Sequence, residues 1–245
     1  MVAKRIFPNV FTYSILISGF CIVGQLKEAI ELLNKMIVEN INPNVYTFNI
    51  LVDVFCKEGK VKEANIVLAV IMKKHIKLDV VTYNTLIDGY CLVNELNKAK
   101  DISNTMAHMG VAPDVQSYNI MINGFCKIKM VNEAMNLFKE MHCRNIIPDV
   151  VTYTTLIDGL CNVGRLADAL KVFEDILVKG YSLDVYTYTV MIKEFCNKGF
   201  FDEALTMLSI MKGNGCIPYT KTYENDKAEK LLREMIARDL PYDQN

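Results

Sequence analysis

Eight cysteines and three histidines are the residues in this chain best suited to metal or nucleophile chemistry. Zinc sites use paired spacings such as Cys-x-x-Cys, and none occurs here. Six of the cysteines, Cys21, Cys56, Cys91, Cys126, Cys161 and Cys196, instead recur every 35 residues. Such a column is expected to hold buried free thiols acting as small hydrophobes. That implies a reducing compartment or inaccessible sulfur. His75, His108 and His142 follow at intervals of 33 and 34 residues, which stacks them rather than clustering them. His142 and Cys143 are adjacent, and consecutive helix positions point apart. No Gly-rich phosphate loop, nucleophile elbow or supported carboxylate dyad is present. No metal and no cofactor is expected, and the chain does not read as an enzyme.

Two columns of small hydrogen-bonding residues repeat with the same period. One column, Ser14, Asn49, Asn84, Asn119, Thr154 and Thr189, carries a small hydrogen-bonding residue in every unit. Each directly follows an aromatic: Tyr13, Phe48, Tyr83, Tyr118, Tyr153 or Tyr188. Ser, Thr and Asn are mediocre helix formers, so something other than helix propensity places them there. A second column, Asn44, Asp79, Asp114, Asp149, Asp184 and Tyr219, is Asn or Asp in five of six units. Asn or Asp just before a helix is an ordinary N-cap, contributing roughly 1 kcal/mol.

The elements that position these columns follow from the same period. Pro8, Pro43, Leu78, Pro113, Pro148 and Leu183 step by 35, as do Ala29, Ala64, Ala99, Ala134, Ala169 and Ala204. In the first unit Tyr13, Leu16, Ile17 and Phe20 fall at i, i+3, i+4 and i+7, one helical face, and Cys21 extends it. Gly24 breaks that helix, with Gly59, Gly164 and Gly199 at the same place and Asn94 and Lys129 in the other two units. A second helix runs from about Leu26, with Ala29, Leu32, Leu33 and Met36 on its inner face. Met106, Met141 and Met211 repeat Met36 and belong to the core. One hairpin cannot bury its apolar face, but stacked neighbours can. The expected fold is all-α: an α-solenoid of helix-turn-helix repeats wound into a right-handed superhelix with a concave groove.

Six full units are expected at 10–44, 45–79, 80–114, 115–149, 150–184 and 185–219, after a lead-in at 1–9. The remainder, 220–245, lacks most of a first helix and reads as a truncated seventh unit acting as a C-terminal cap. A deletion in a longer parent is compatible with that reading.

Composition narrows the partner. Lys and Arg total 27 against 28 Asp and Glu, and the pI is about 6.3. That balance argues against a protein that grips nucleic acid mainly by bulk positive charge and leaves base reading with modest phosphate contact open. No stretch reaches the roughly 18 uninterrupted apolar residues of a membrane span. The opening Met1 to Phe7 is too short for a signal or transit peptide.

The line from Asp149 through Val-Val-Thr-Tyr-Thr-Thr-Leu-Ile-Asp-Gly-Leu to Cys161, followed by Gly164, Asp168, Ala169 and Phe173, resembles the pentatricopeptide repeat. The 35-residue period resembles its P subclass, and the wording is similar to restorer-of-fertility-like members from plants. The resemblance implies single-stranded RNA binding at one base per repeat. It implies base reading by Ser14 with Asn44, Asn49 with Asp79, Asn84 with Asp114, Asn119 with Asp149, Thr154 with Asp184, and Thr189 with Tyr219. The implied core is 5′-AUUUG-purine-3′. Phe11, Tyr46, Val81, Gln116, Val151 and Tyr186 would wedge between successive bases, and Lys57 and Lys127 would contact phosphate. The resemblance also implies a monomer in mitochondria, with chloroplasts second, acting in RNA processing, stability or translation. A protein-binding scaffold and a truncated, non-functional family member stay open as alternatives.

Overall fold

A computed structural model describes residues 7–216 except 75. The truncated seventh unit at 220–245 and Tyr219 therefore lie outside the described residues. Twelve helices follow one another along the described chain: α1 (Val10–Ile22), α2 (Leu26–Val38), α3 (Val45–Lys57), α4 (Val61–Lys73), α5 (Val80–Leu92), α6 (Leu96–His108), α7 (Val115–Lys127), α8 (Val131–Cys143), α9 (Val150–Asn162), α10 (Leu166–Val178), α11 (Val185–Lys198) and α12 (Phe201–Gly213). No strand occurs among the described residues. The chain is an all-α helical-repeat solenoid.

Each odd-numbered helix starts the same way. An Asn or Asp in extended backbone accepts a hydrogen bond from the amide three residues on: Asn9 from Thr12, Asn44 from Thr47, Asp79 from Thr82, Asp114 from Ser117, Asp149 from Thr152 and Asp184 from Thr187. The cap satisfies one of the amides that a helix start leaves without an intrahelical partner. The even-numbered helices carry no side-chain cap; the tight interhelical turn holds their start instead. That turn needs a left-handed residue. Gly24, Gly59, Gly164 and Gly199 supply it, and Asn94 (φ 60°) and Lys129 (φ 63°) are forced into the same conformation.

The helices form two compact units. One runs to Ile128 and contains α1 to α7; the other begins at Lys129 and contains α8 to α12. In the first, hairpins α1/α2, α3/α4 and α5/α6 stack so that α1, α3, α5 and α7 lie side by side. In the second, α8 packs on α9, and hairpins α9/α10 and α11/α12 stack through α9 and α11.

The columns seen in the sequence are the core. The Tyr/Phe column is at most 4% exposed and the Ala column at most 1%. Met36, Ile71, Met106, Met141, Ile176 and Met211 form a further, fully buried column. Cys21, Cys56, Cys91, Cys126 and Cys161 are buried free thiols, and Cys196 is half-buried. Burial pushes Cys56, Cys91 and Cys161 up to about 12, so they stay protonated and inert.

The thiols also face glycine. A Cβ on Gly89 of α5 would lie 2.4 Å from Cys56 Sγ of α3, and one on Gly124 of α7 would lie 2.8 Å from Cys91 Sγ of α5. Small residues at both sides of these crossings let neighbouring first helices approach closely.

Candidate nucleic-acid interface

Stacking the first helices side by side places one residue of the first polar column, the expected base reader, per helix in a row. In the first unit the row holds Ser14, Asn49, Asn84 and Asn119; in the second it holds Thr154 and Thr189. Each reader sits three residues after a side chain from the helix start, so the two share a face. That earlier position holds exposed apolar residues: Phe11 (66% exposed), Tyr46, Val81, Val151 and Tyr186 (54%). Gln116 is the one polar member, and it is exposed too. Large apolar side chains left in solvent along one face suit contact with a flat partner.

The reader and the cap of the following helix meet directly where the reader is Asn. Asn49 donates from Nδ2 to Asp79 Oδ1 (3.3 Å), and Asn84 donates to Asp114 Oδ1 (3.2 Å). The shorter readers reach the cap only through a third residue. Ser14 Oγ lies 2.8 Å from Thr47 Oγ1, which donates to Asn44 Oδ1 (2.9 Å). Thr154 Oγ1 lies 2.8 Å from Thr187 Oγ1, which donates to Asp184 Oδ1 (2.8 Å). Asn119 is half-buried on α7, and Asp149 caps α9. Thr189 turns its hydroxyl onto the Val185 carbonyl (2.7 Å), and its sequence partner Tyr219 is outside the described residues.

The readers are less open than the sequence suggests. Ser14 is 1% exposed and Asn84 5%, while Asn49, Asn119, Thr154 and Thr189 are half-buried. The caps face outward more: Asn44 and Asp184 are exposed, and Asp79, Asp114 and Asp149 are half-buried. Within each unit, packing of the next hairpin onto a first helix covers the reader's stem and leaves the cap nearer the rim.

Electrostatics fix the caps as acceptors. Burial alone would raise the Asp79 carboxyl, but donation from the Thr82 amide and hydroxyl and from Asn49 outweighs it and holds the group below the usual carboxylate range. Asp114 is held low in the same way by Ser117 and Asn84 against burial. All of these donors reach Oδ1. Oδ2 of Asp79 and of Asp114 takes no hydrogen bond among the described residues.

Phosphate support is thin. Lys57 is exposed but held by Asp53 (2.7 Å), and Lys127 is exposed near Asp88. Burial raises the Asp88 carboxyl above its usual range, and Lys127 offsets only part of that rise.

The hydroxyl three residues into each first helix was not singled out by the sequence. Thr47, Thr82, Ser117, Thr152 and Thr187 are all fully buried. Their fixed spacing from the caps, as in a capping box, was the available signal. His142 Nδ1 pairs with the Phe138 carbonyl (2.9 Å), Nε2 lies 3.4 Å from Lys179 Nζ, and the ring packs edge-on to Phe138.

The sequence profile of the PPR repeat family matches residues 8–57, 47–91, 78–127, 117–162 and 148–197, and the PPR repeat profile matches 186–216. The chain belongs to the pentatricopeptide-repeat family. Repeats thus run without a break from 8 to 216, and no part of that stretch is left for a separate catalytic domain. Among solved structures, the maize pentatricopeptide repeat protein PPR10 is similar with a TM-score of 0.69 at 29% identity, over 84% of this chain and 29% of its own. The same protein in complex with an 18-nt psaJ RNA element gives 0.70 at 28% identity, over 84% of this chain and 30% of its own. This pentatricopeptide-repeat chain therefore spans about three tenths of PPR10. The PPR domain of Arabidopsis thaliana protein-only RNase P 1, solved with tRNA, gives 0.58 at 17% identity, over 76% of this chain and 95% of that domain, a likeness of fold alone. No curated protein matches the sequence. No described helix is long and apolar enough to cross a membrane.

Proposed function

We propose that this pentatricopeptide-repeat protein binds single-stranded RNA and reads about one base per hairpin, with the core 5′-AUUUG-purine-3′. One observation carries the reading: exposed apolar side chains and paired polar groups alternate along the row of first helices in each unit. Bases can stack on the first set, which contributes about 1–3 kcal/mol per base. They can be discriminated by the second. The RNA complex of the similar maize protein supports the choice of ligand.

The chemistry of the caps explains which base each pair would take. An ionised carboxylate only accepts. Asp79 and Asp114, held ionised and with Oδ2 taking no hydrogen bond among the described residues, favour a base with a ring N–H on its Watson–Crick edge, as in uracil and guanine. Adenine and cytosine present a lone pair there and are repelled. Asn44 can donate, which suits adenine opposite Ser14. Among N–H bases, the reader makes the choice, Asn for uracil and Thr for guanine by the family's pattern.

A cleft of about 700 Å³ beside α11 fits a nucleotide. Its walls include Asp184, Tyr186, Thr189 and Lys193, which combine a cap, a stacking ring, a reader and a cation.

The protein would act by occupancy, blocking a nuclease or holding a site unpaired. The assignment to mitochondrial RNA processing rests on the family resemblance. Selection from a random RNA pool tests the reading. Enrichment of the core supports it, and a pool without base preference overturns it.

A further inference from the structure

The buried hydroxyl at the third position of α3, α5, α7 and α11 bonds in two directions. Inward along its own helix start, it donates to the cap: Thr82 Oγ1 to Asp79 Oδ1 (2.8 Å), Ser117 Oγ to Asp114 Oδ1 (2.9 Å). Across to the preceding hairpin, it reaches the reader: Thr82 Oγ1 to Asn49 Oδ1 (2.7 Å), Ser117 Oγ to Asn84 Oδ1 (2.5 Å). Its position 33 residues after the reader repeats at Thr47 with Ser14 and Thr187 with Thr154. A cap alone requires only the first bond.

We propose that this hydroxyl is a specificity-determining positioning residue for the base read by the preceding hairpin, because it locks reader and cap into one geometry. The inference rests on the base-reading function proposed above. A hydroxyl has one proton, yet Thr82 and Ser117 each face two oxygen acceptors. Asp79 Oδ1 and Asp114 Oδ1 already accept from the cap amide and from the Asn reader, so the hydroxyl proton is available to the Asn carbonyl and keeps the reader's amide group turned toward the cap. The hydroxyl thereby couples reader and cap, so that turning either side chain disturbs the bond to the other.

The two reader types depend on it unequally. Asn49 and Asn84 also bond their caps directly. Ser14 and Thr154 have no such bond among the described residues and meet the cap only through Thr47 and Thr187. Removing the hydroxyl disconnects the second kind completely and the first kind in part.

The test measures binding to RNAs carrying each of the four bases at one position, alongside thermal melts, for wild type and single variants. Thr187→Val is expected to reduce discrimination at the fifth base about tenfold, and Thr82→Val at the second base about threefold, since a typical net hydrogen bond corresponds to factors in this range. Discrimination at the other positions is expected to stay within about twofold for additive, separated sites. Thr187→Ser and Thr82→Ser, which keep the hydroxyl, are expected to restore wild-type values. Ser117→Ala, the mildest change, covers the case in which a Val variant fails to fold and is expected to act at the third base. Discrimination unchanged in folded Val and Ala variants, or lost evenly at every position, overturns the inference while leaving the base-reading function standing. A wild-type protein without base preference overturns both.

Discussion

Replacing Asn84 by Thr is expected to move the preferred third base from U to G. The structure contains its own precedent for the product: Thr154 keeps the bond to the buried hydroxyl of the next hairpin, Thr187, at 2.8 Å. Thr at position 84 can bond Ser117 in the same way but cannot span to Asp114, so the 3.2 Å bond from Asn84 Nδ2 is lost. Losing one hydrogen bond costs about 0.5–1.5 kcal/mol of stability. Asn and Thr have similar helix propensity, so the backbone adds little. Asp114 remains an acceptor and still requires a ring N–H, which confines the swap to U and G. A changed base pair partner typically shifts affinity by about 1–3 kcal/mol, or roughly 5- to 150-fold. The assay is fluorescence anisotropy with four RNAs that differ only at the third base of the core, together with two that differ at the second. A profile that stays flat at the third base, or a change that spreads to the second, refutes the reasoning.

Further expectations follow from other parts of the structure. With Lys57 and Lys127 as the phosphate contacts, the slope of log affinity against log salt should be about −1.4, and Lys57→Ala should reduce its magnitude by about 0.7; a much steeper slope in titrations would show an electrostatic surface that has been overlooked. Gly89→Ala drives a Cβ to 2.4 Å from Cys56 Sγ, so it should cost about 1–3 kcal/mol in urea unfolding, whereas Gly19→Ala, with open space around it, should not destabilise; equal effects would disprove the close contact. Asp79 and Asp114 have lowered folded-state pKa values, so their stabilisation is complete above the unfolded value near 3.8 and is lost as pH falls through the lower folded values. The double variant Asp79→Asn, Asp114→Asn should therefore unfold with a shallower acid dependence below about pH 4 than wild type, and an unchanged acid limb would contradict the hydrogen-bonded caps.

The period and its consequences were legible in the sequence because they are local or repeat in register. Tyr13 with Ile17 and Cys21 announces a buried face, Gly24 announces the turn, and Asn44 before Val45 announces a helix start, all within a few residues. The burial of Ser14 and Asn84 was not legible, since it depends on how far the next hairpin slides over the first helix. Thr82 illustrates the same limit. Its capping role can be read three residues away at Asp79, but its bond to Asn49 spans 33 residues and two helices. Gly89 was likewise passed over, because its purpose lies in the sulfur of Cys56 on a neighbouring helix rather than in any turn of its own.

Those sulfur–glycine contacts set a length scale. Bases in a stacked strand are about 3.4 Å apart, so a base followed by an interposed side chain occupies about 7 Å. Packed helices lie roughly 8–10 Å apart depending on the side chains between them. A scaffold that advances one helix per nucleotide must keep to the short end of that range or overstretch its strand. Cys56 against Gly89 and Cys91 against Gly124 are the spacers that hold the pitch down. Larger residues there would leave every hydrogen-bonding group intact and still mistune the protein, like a ruler whose divisions no longer match the object being measured.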